Sequence, residues 1–187
     1  MTLRFNFCRY AADDVLINGK STGACSVGGN NTLGKCLIFT DTGAPITSVP
    51  PELVDSESST AFKNWLNTDS YNPDIPVYPC EHMGSVPFNI TIVVEGVSFA
   101  VNVADLAVEI QDGVCGSIVE VSSLQSQFTD PSDPFYNLPA PAVFTGNNWL
   151  RNFYMTFGLP NSKGTPYITL GCGRGGRGKC RAVGDPQ

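Results

Sequence analysis

Leu37-Ile38-Phe39-Thr40-Asp41-Thr42-Gly43-Ala44-Pro45 is the stretch in which an apolar run leads straight into an acidic residue and a turn. Three successive apolar residues are what a buried strand needs, and Thr42-Gly43 adds a hydroxyl and a backbone able to turn sharply. A carboxylate placed there sits at the rim of a core, where its surroundings control how readily it ionises. An isolated Asp-Thr-Gly is an ordinary surface turn, so the flanking sequence decides its meaning.

Upstream, the apolar positions between Leu3 and Asn18 predict two strands, and Asn18-Gly19 is a strong hairpin-turn signal. Residues 20–36 are rich in Gly, Ser and Asn and read as a loop that one Cys25–Cys36 bridge is able to close. Downstream, Pro50-Pro51 opens a predicted helix over 51–67, with Glu52, Asp55 and Glu57 in its early turns and Leu53, Val54, Phe62, Trp65 and Leu66 as core contacts. Residues 68–87 read as a proline-containing loop that carries Cys80.

From Phe88 the pattern is that of strands. Phe88, Ile90 and Ile92 alternate with Asn89, Thr91 and Val93, and Glu95-Gly96 turns the chain into Val97, Phe99, Val101 and Val103. Further strands are expected at 107–110 and 114–119, and a polar, proline-rich loop at 122–141. Then follow Ala142–Gly146, a helical turn over 147–152, and strands at 153–157 and 167–170. The expected organisation is one domain over 1–172 and a flexible Gly/Arg-rich tail over 173–187.

The 187 residues suffice to bury a core, and 42% hydrophobic against 15% charged residues argues for a globular, sheet-rich chain. Eleven basic and seventeen acidic residues leave a net charge of −6, which disfavours nucleic acid as a partner. Arg174, Arg177, Lys179 and Arg181 all fall in the tail, so the body is more acidic still and suited to an acidic environment. The Gly173–Gly178 Gly-Arg tract reads as a solvated tail rather than an RNA contact.

Seven cysteines without a Cys-x-x-Cys, and a single histidine, His82, speak for disulfides rather than a zinc site. His82 reads as a loop residue, with no nucleophile motif beside it. Two glycosylation sequons, at Asn30 and Asn89, agree with an oxidising, secretory or vacuolar route. Met1–Phe7 lacks the features of a signal peptide and no apolar run is long enough to cross a membrane, so the chain is expected to be a piece of a longer product. Cys8 is open to pairing with Cys172 or Cys180, and the odd count leaves at least one thiol free or intermolecular.

From Leu3 to Gly171 this order of features resembles the C-terminal lobe of a pepsin-like aspartic peptidase. The resemblance rests on the Asp41-Thr42-Gly43 turn after an apolar strand, the Pro-led helix, and the closing run Gly146-Asn147-Asn148-Trp149-Leu150-Arg151-Asn152-Phe153-Tyr154-Met155-Thr156-Phe157. It implies a mainly β lobe of the acid-protease, double-psi barrel type with one or two short helices, a Cys25–Cys36 loop, and a Cys80–Cys115 pair bracketing the Glu-Gly hairpin. It implies no cofactor and no metal.

In that family two aspartates, one per lobe, share a proton and activate water. Asp41 would be this lobe's catalytic residue, Thr42 would bond across to the other lobe, Gly43 would give its N–H to the carboxylate, and Gly146 would let the closing segment pass behind the turn. Three positions depart from the pattern. Ala44 and Pro45 stand where hydroxyl residues are usual, and Thr145 where an aliphatic one is. A lost hydrogen bond to a carboxylate is worth about 1.5–3 kcal/mol.

The second aspartate is absent from these 187 residues, so the expected partners are an N-terminal lobe and a polypeptide substrate, with neither nucleic acid nor membrane. The expected function is endopeptidase action in acid, dependent on that second lobe. The alternative is a non-catalytic protein of the same fold that binds a protein or glycan through the degenerate cleft.

Overall fold

The computed structural model describes residues 8–26, 34–54, 78–83, 88–116, 119–121, 141–158, 167–172 and 178–182. Among them the chain is mainly β, with only short helices. The apolar run that opens the motif forms strand β4 (Cys36–Thr40), all five of whose residues are buried. It is flanked by antiparallel β1 (Cys8–Ala12), with Tyr10 opposite Ile38, and by parallel β12 (Ala142–Thr145), with Val143 opposite Ile38. β12 also meets β5 (Thr47–Val49), antiparallel at Phe144 and Ser48, and β11 (Val119–Val121) completes the sheet parallel to β5. The strand order is therefore β1-β4-β12-β5-β11. A strand a hundred residues downstream has been inserted between the two strands that flank the Asp41 turn.

A second five-stranded sheet runs β15 (Lys179–Ala182), β8 (Val97–Asn102), β7 (Asn89–Val94), β2 (Asp14–Ile17) and β3 (Lys20–Ser21). Its two tight turns carry left-handed residue pairs, Asn18 and Gly19 at φ 51° and 76°, Glu95 and Gly96 at φ 50° and 75°. Such pairs form hairpin turns whose twist matches that of the strands. Ile38, Val49 and Val143 from the first sheet share one core with Val15, Ile17, Ile90, Ile92 and Val101 from the second. On the other face of β4, Phe39 stacks on Phe144 with ring centroids 4.6 Å apart.

Smaller sheets join β6 (Tyr78–Pro79), β10 (Val114–Gly116) and β9 (Val108–Gln111), and pair β13 (Tyr154–Gly158) with β14 (Tyr167–Gly171). The short helices are α1 (Pro51–Val54), α2 (Cys80–Met83) and α3 (Asn147–Leu150). A 3-10 turn over Val103–Leu106 is capped by the Asn102 side chain, which accepts from Ala104 N–H at 2.8 Å.

Several expectations need correction. The predicted helix over 51–67 is described only as α1, and its remainder lies outside the described residues. The predicted 114–119 strand is two strands in different sheets, because β10 pairs with β9 whereas β11 pairs with β5. β6 and α2 lie within the expected 68–87 loop, next to the Cys80–Cys115 bridge. β5 and β3 were not foreseen, being too short for a periodicity signal.

The tail departs furthest from expectation. Lys179–Ala182 is the edge strand of the second sheet, with Cys180 opposite Phe99. Cys172 bonds to Cys180, so neither tail cysteine bonds to Cys8, which lies in β1 opposite Thr40. Gly178 explains part of the local sequence: a Cβ there would stand 2.5 Å from the Phe153 ring and 2.6 Å from the Asn152 carbonyl. Its N–H donates to that same carbonyl at 3.2 Å. Cys25–Cys36 and Cys80–Cys115 are also bonded. Three bridges are the mark of an oxidising, non-cytoplasmic compartment.

Lys35 Nζ bonds to the Asp13 side chain at the junction of β1 and β2. That ammonium holds the Asp13 carboxyl below its ordinary range. A carboxyl with a depressed folded-state pKa stabilises above its unfolded value, and the contribution is lost as pH falls through the folded one. Lys35→Met is therefore expected to cost about 0.5 kcal/mol above pH ~4, the size of an exposed ion pair. In urea unfolding followed from neutral pH downward, its gap from the parent protein should close in acid. A gap that stays constant with pH would remove the ion pair as its cause.

Candidate functional site

Asp41 follows directly from β4 and its backbone N–H donates to Thr145 O at 3.1 Å, continuing the β4–β12 ladder by one bond. Thr42 and Gly43 are exposed while Asp41 is half-buried, so the turn stands at the surface with its carboxylate at the rim. Gly43 N–H donates to Asp41 Oδ1 at 2.8 Å, and Ala44 N–H donates to Asp41 O at 3.3 Å. One carboxylate oxygen is thus oriented by the turn's own backbone, a charge-assisted bond that fixes the side chain.

The turn is held from behind by the segment after β12. Asn147 N–H donates to Ala44 O at 2.8 Å and Asn148 N–H to Pro45 O at 3.2 Å. The Asn147 side-chain amide donates to Thr42 O at 2.8 Å. Gly146 is the crossing point. A Cβ on it would lie 2.2 Å from Ile46 O, 2.6 Å from Ile46 C and 2.9 Å from Ala44 O. Two backbones pass here at a distance that only a residue without a side chain permits.

Beneath the crossing lies a buried polar pair. Thr47 Oγ1 donates to Asn148 Oδ1 at 2.7 Å and accepts from Gly146 N–H at 3.3 Å. Asn152 Nδ2 donates to Asn148 O at 2.9 Å. Thr47, Asn148 and Asn152 are each almost fully buried, where an unsatisfied partner costs about 1–3 kcal/mol. The network ties β5, α3 and the turn into one unit. Trp149, fully buried in α3, packs against Phe153 with ring centroids 5.3 Å apart and anchors that unit to the core.

The structure therefore brings the segment Asp41, Thr42, Gly43, Ala44 and Pro45 together with Thr145 and Gly146, which lie about a hundred residues further along the chain. Thr145 is buried and its hydroxyl donates to Phe39 O at 3.1 Å, so this polar residue is accommodated beside β4 by a backbone acceptor. Ala44 brings no hydroxyl to the turn. Asn147, Asn148 and Thr47 are site residues that sequence reading missed. Asn147-Asn148 follows Gly146 directly and was visible only as part of a run.

Other candidates lie apart. Asn89 opens β7 in the second sheet and is exposed, and Asn30 lies outside the described residues. His82 is exposed in α2, within 3.9 Å of the Glu81 carboxylate. Among the described residues no group of His, Cys, Asp and Glu is placed to hold a metal ion, and no helix is long and apolar enough to cross a membrane. Comparison with protein-family models and with curated proteins finds no match to this chain.

Proposed function

We propose that this chain is the C-terminal lobe of a pepsin-like aspartic endopeptidase, with Asp41 as one half of a two-aspartate site. The supporting observation is the crossing of Gly146 behind the Asp41–Ile46 turn, where a Cβ would meet the Ile46 and Ala44 carbonyls. That crossing holds a half-buried carboxylate at the surface end of a buried strand. Gly43 N–H on Oδ1 keeps the carboxylate in place.

In the proposed reaction the ionised carboxylate of the pair takes a proton from water as its oxygen attacks the scissile carbonyl carbon. The protonated carboxyl gives its proton to the carbonyl oxygen; the tetrahedral intermediate then collapses as the C–N bond breaks, one hydroxyl returning its proton to that carboxylate and the amine taking the proton that the first carboxylate drew from water. Two carboxylates a few ångströms apart cannot both ionise, which keeps one proton between them in acid. A second reading, a non-catalytic protein that binds a protein or glycan at the same turn, is favoured by Ala44 and Pro45, which put no hydroxyl at the two positions after Asp41-Thr42-Gly43, and by Thr145.

Co-expression with a lobe that carries its own Asp-Thr-Gly, followed by peptide cleavage at acidic pH, tests the proposal. Cleavage is expected, blocked by a transition-state analogue of amide hydrolysis, since such analogues bind far more tightly than substrates. A folded two-lobe complex that binds peptides without cleaving them would instead establish the second reading.

A further inference from the structure

We infer that Asn89 is a site of N-linked glycosylation, filled on the nascent chain before β7 enters its sheet. The sequence Asn89-Ile90-Thr91 is an acceptor triplet, and the three disulfides agree with an oxidising compartment of the kind in which such transfer takes place. The geometry at Asn89 supplies the rest of the argument.

The orientation of the Asn89 amide is fixed by a relay. Ala104 N–H donates to Asn102 Oδ1 at 2.8 Å, which commits the other end of that amide, Nδ2, as a donor. Asn102 Nδ2 then faces Asn89 Oδ1 at 3.5 Å. Asn89 therefore presents its oxygen to the protein, and its Nδ2 is the end turned away from Asn102. The residue is exposed. Its backbone is occupied elsewhere, since Asn89 N–H donates to Asn18 Oδ1 at 2.8 Å and Asn89 O accepts from Asn18 N–H at 2.9 Å. A sugar on Nδ2 leaves each of these contacts intact.

In the transfer, Asn89 Nδ2 forms a bond to the anomeric carbon of an oligosaccharide carried on a lipid pyrophosphate. The bond from that carbon to the pyrophosphate oxygen breaks, the lipid pyrophosphate leaves with the electron pair, and one amide proton passes to a base of the transferase. The primary amide thereby becomes a secondary amide whose carbonyl still faces Asn102.

The order follows from Thr91. A transferase must grip the hydroxyl two residues after the asparagine, yet in the fold Thr91 is only 8% exposed. It sits mid-strand, with Leu16 opposite on β2 and Ala100 opposite on β8. Ile90 between the two is buried in the core. The Cys80–Cys115 bridge spans the whole β7–β8 hairpin, and it is the pairing of β7 with β2 and β8 that closes the triplet to the transferase.

The test uses Asn30→Gln throughout, so that Asn89 alone reports. Chain synthesised behind a cleavable secretory signal into microsomes that hold the lipid-linked donor, with import verified by protease protection, should gain one glycan, with deglycosylation converting the Asn89 amide to a carboxylate detectable by mass. Asn89→Gln and the near-isosteric Thr91→Val should each lose it, and Thr91→Ser should keep it. The purified, folded chain offered to the same microsomal enzyme should remain unmodified until its disulfides are reduced and it is unfolded. An unmodified Asn89 peptide from the nascent chain overturns the site. Equal modification of folded and nascent chain overturns the order.

Discussion

Gly146→Ala is expected to destabilise the fold by about 3 kcal/mol or more, at the upper end of what overpacking a tight site costs. For a chain of this length that lowers the melting temperature by roughly 6–12 °C. The reason lies in what the added methyl meets. Ile46 O at 2.2 Å and Ala44 O at 2.9 Å are backbone atoms of a turn that is itself hydrogen-bonded to Asn147 and Asn148. No side chain is available to swing aside, so the turn and the closing segment must separate. Separation breaks the Asn147 and Asn148 bonds to Ala44 O and Pro45 O and strains the Gly146 bond to Thr47 Oγ1.

Gly171→Ala is the matched control, because nothing lies within 4 Å of a Cβ at that position in β14. Its extended backbone accepts alanine, and the loss of unfolded-state freedom makes the change neutral or stabilising by about 0.4–1 kcal/mol. Thermal unfolding of both variants, followed by circular dichroism, separates a general intolerance of glycine replacement from the specific crossing. Equal, small shifts would show that the turn yields easily and that Gly146 does not lock it.

What could be read in the sequence and what could not divide on physical grounds. β4 and the β7–β8 hairpin were legible because their residues satisfy local rules: an unbroken apolar run, apolar residues at every second position, and turn pairs that accept positive φ. The Asp41 turn was legible for the same reason. β5 was not, since Thr47, Ser48 and Val49 become a strand only through partners on β11 and β12, 72 and 96 residues further along the chain. Asn148 was missed for a related reason. A buried asparagine has no local signature, and its value here comes from Thr47 on another element. The tail was misread because its Gly and Arg composition is that of a linker, whereas Gly178 is small so that β15 can approach Phe153 and pair with β8.

In the two-lobe complex, Asp41→Asn is expected to lower kcat by about 10²–10⁴-fold, the usual share of a general acid or base. The fold should tolerate it. Asn retains an Oδ1 able to accept the Gly43 N–H that now reaches the carboxylate at 2.8 Å, and exchanging a charge-assisted bond for a neutral one costs only about 1 kcal/mol. Peptide affinity should change little, because substrate contacts come from the cleft and not from the proton of the pair. This separation of kcat from binding distinguishes the two readings of the site. If Asp41 serves only to hold a ligand, Asp41→Asn weakens binding and there is no turnover to lose. If it carries one half of a shared proton, binding persists and turnover falls, because an amide can neither accept the proton from water nor supply one to the carbonyl oxygen.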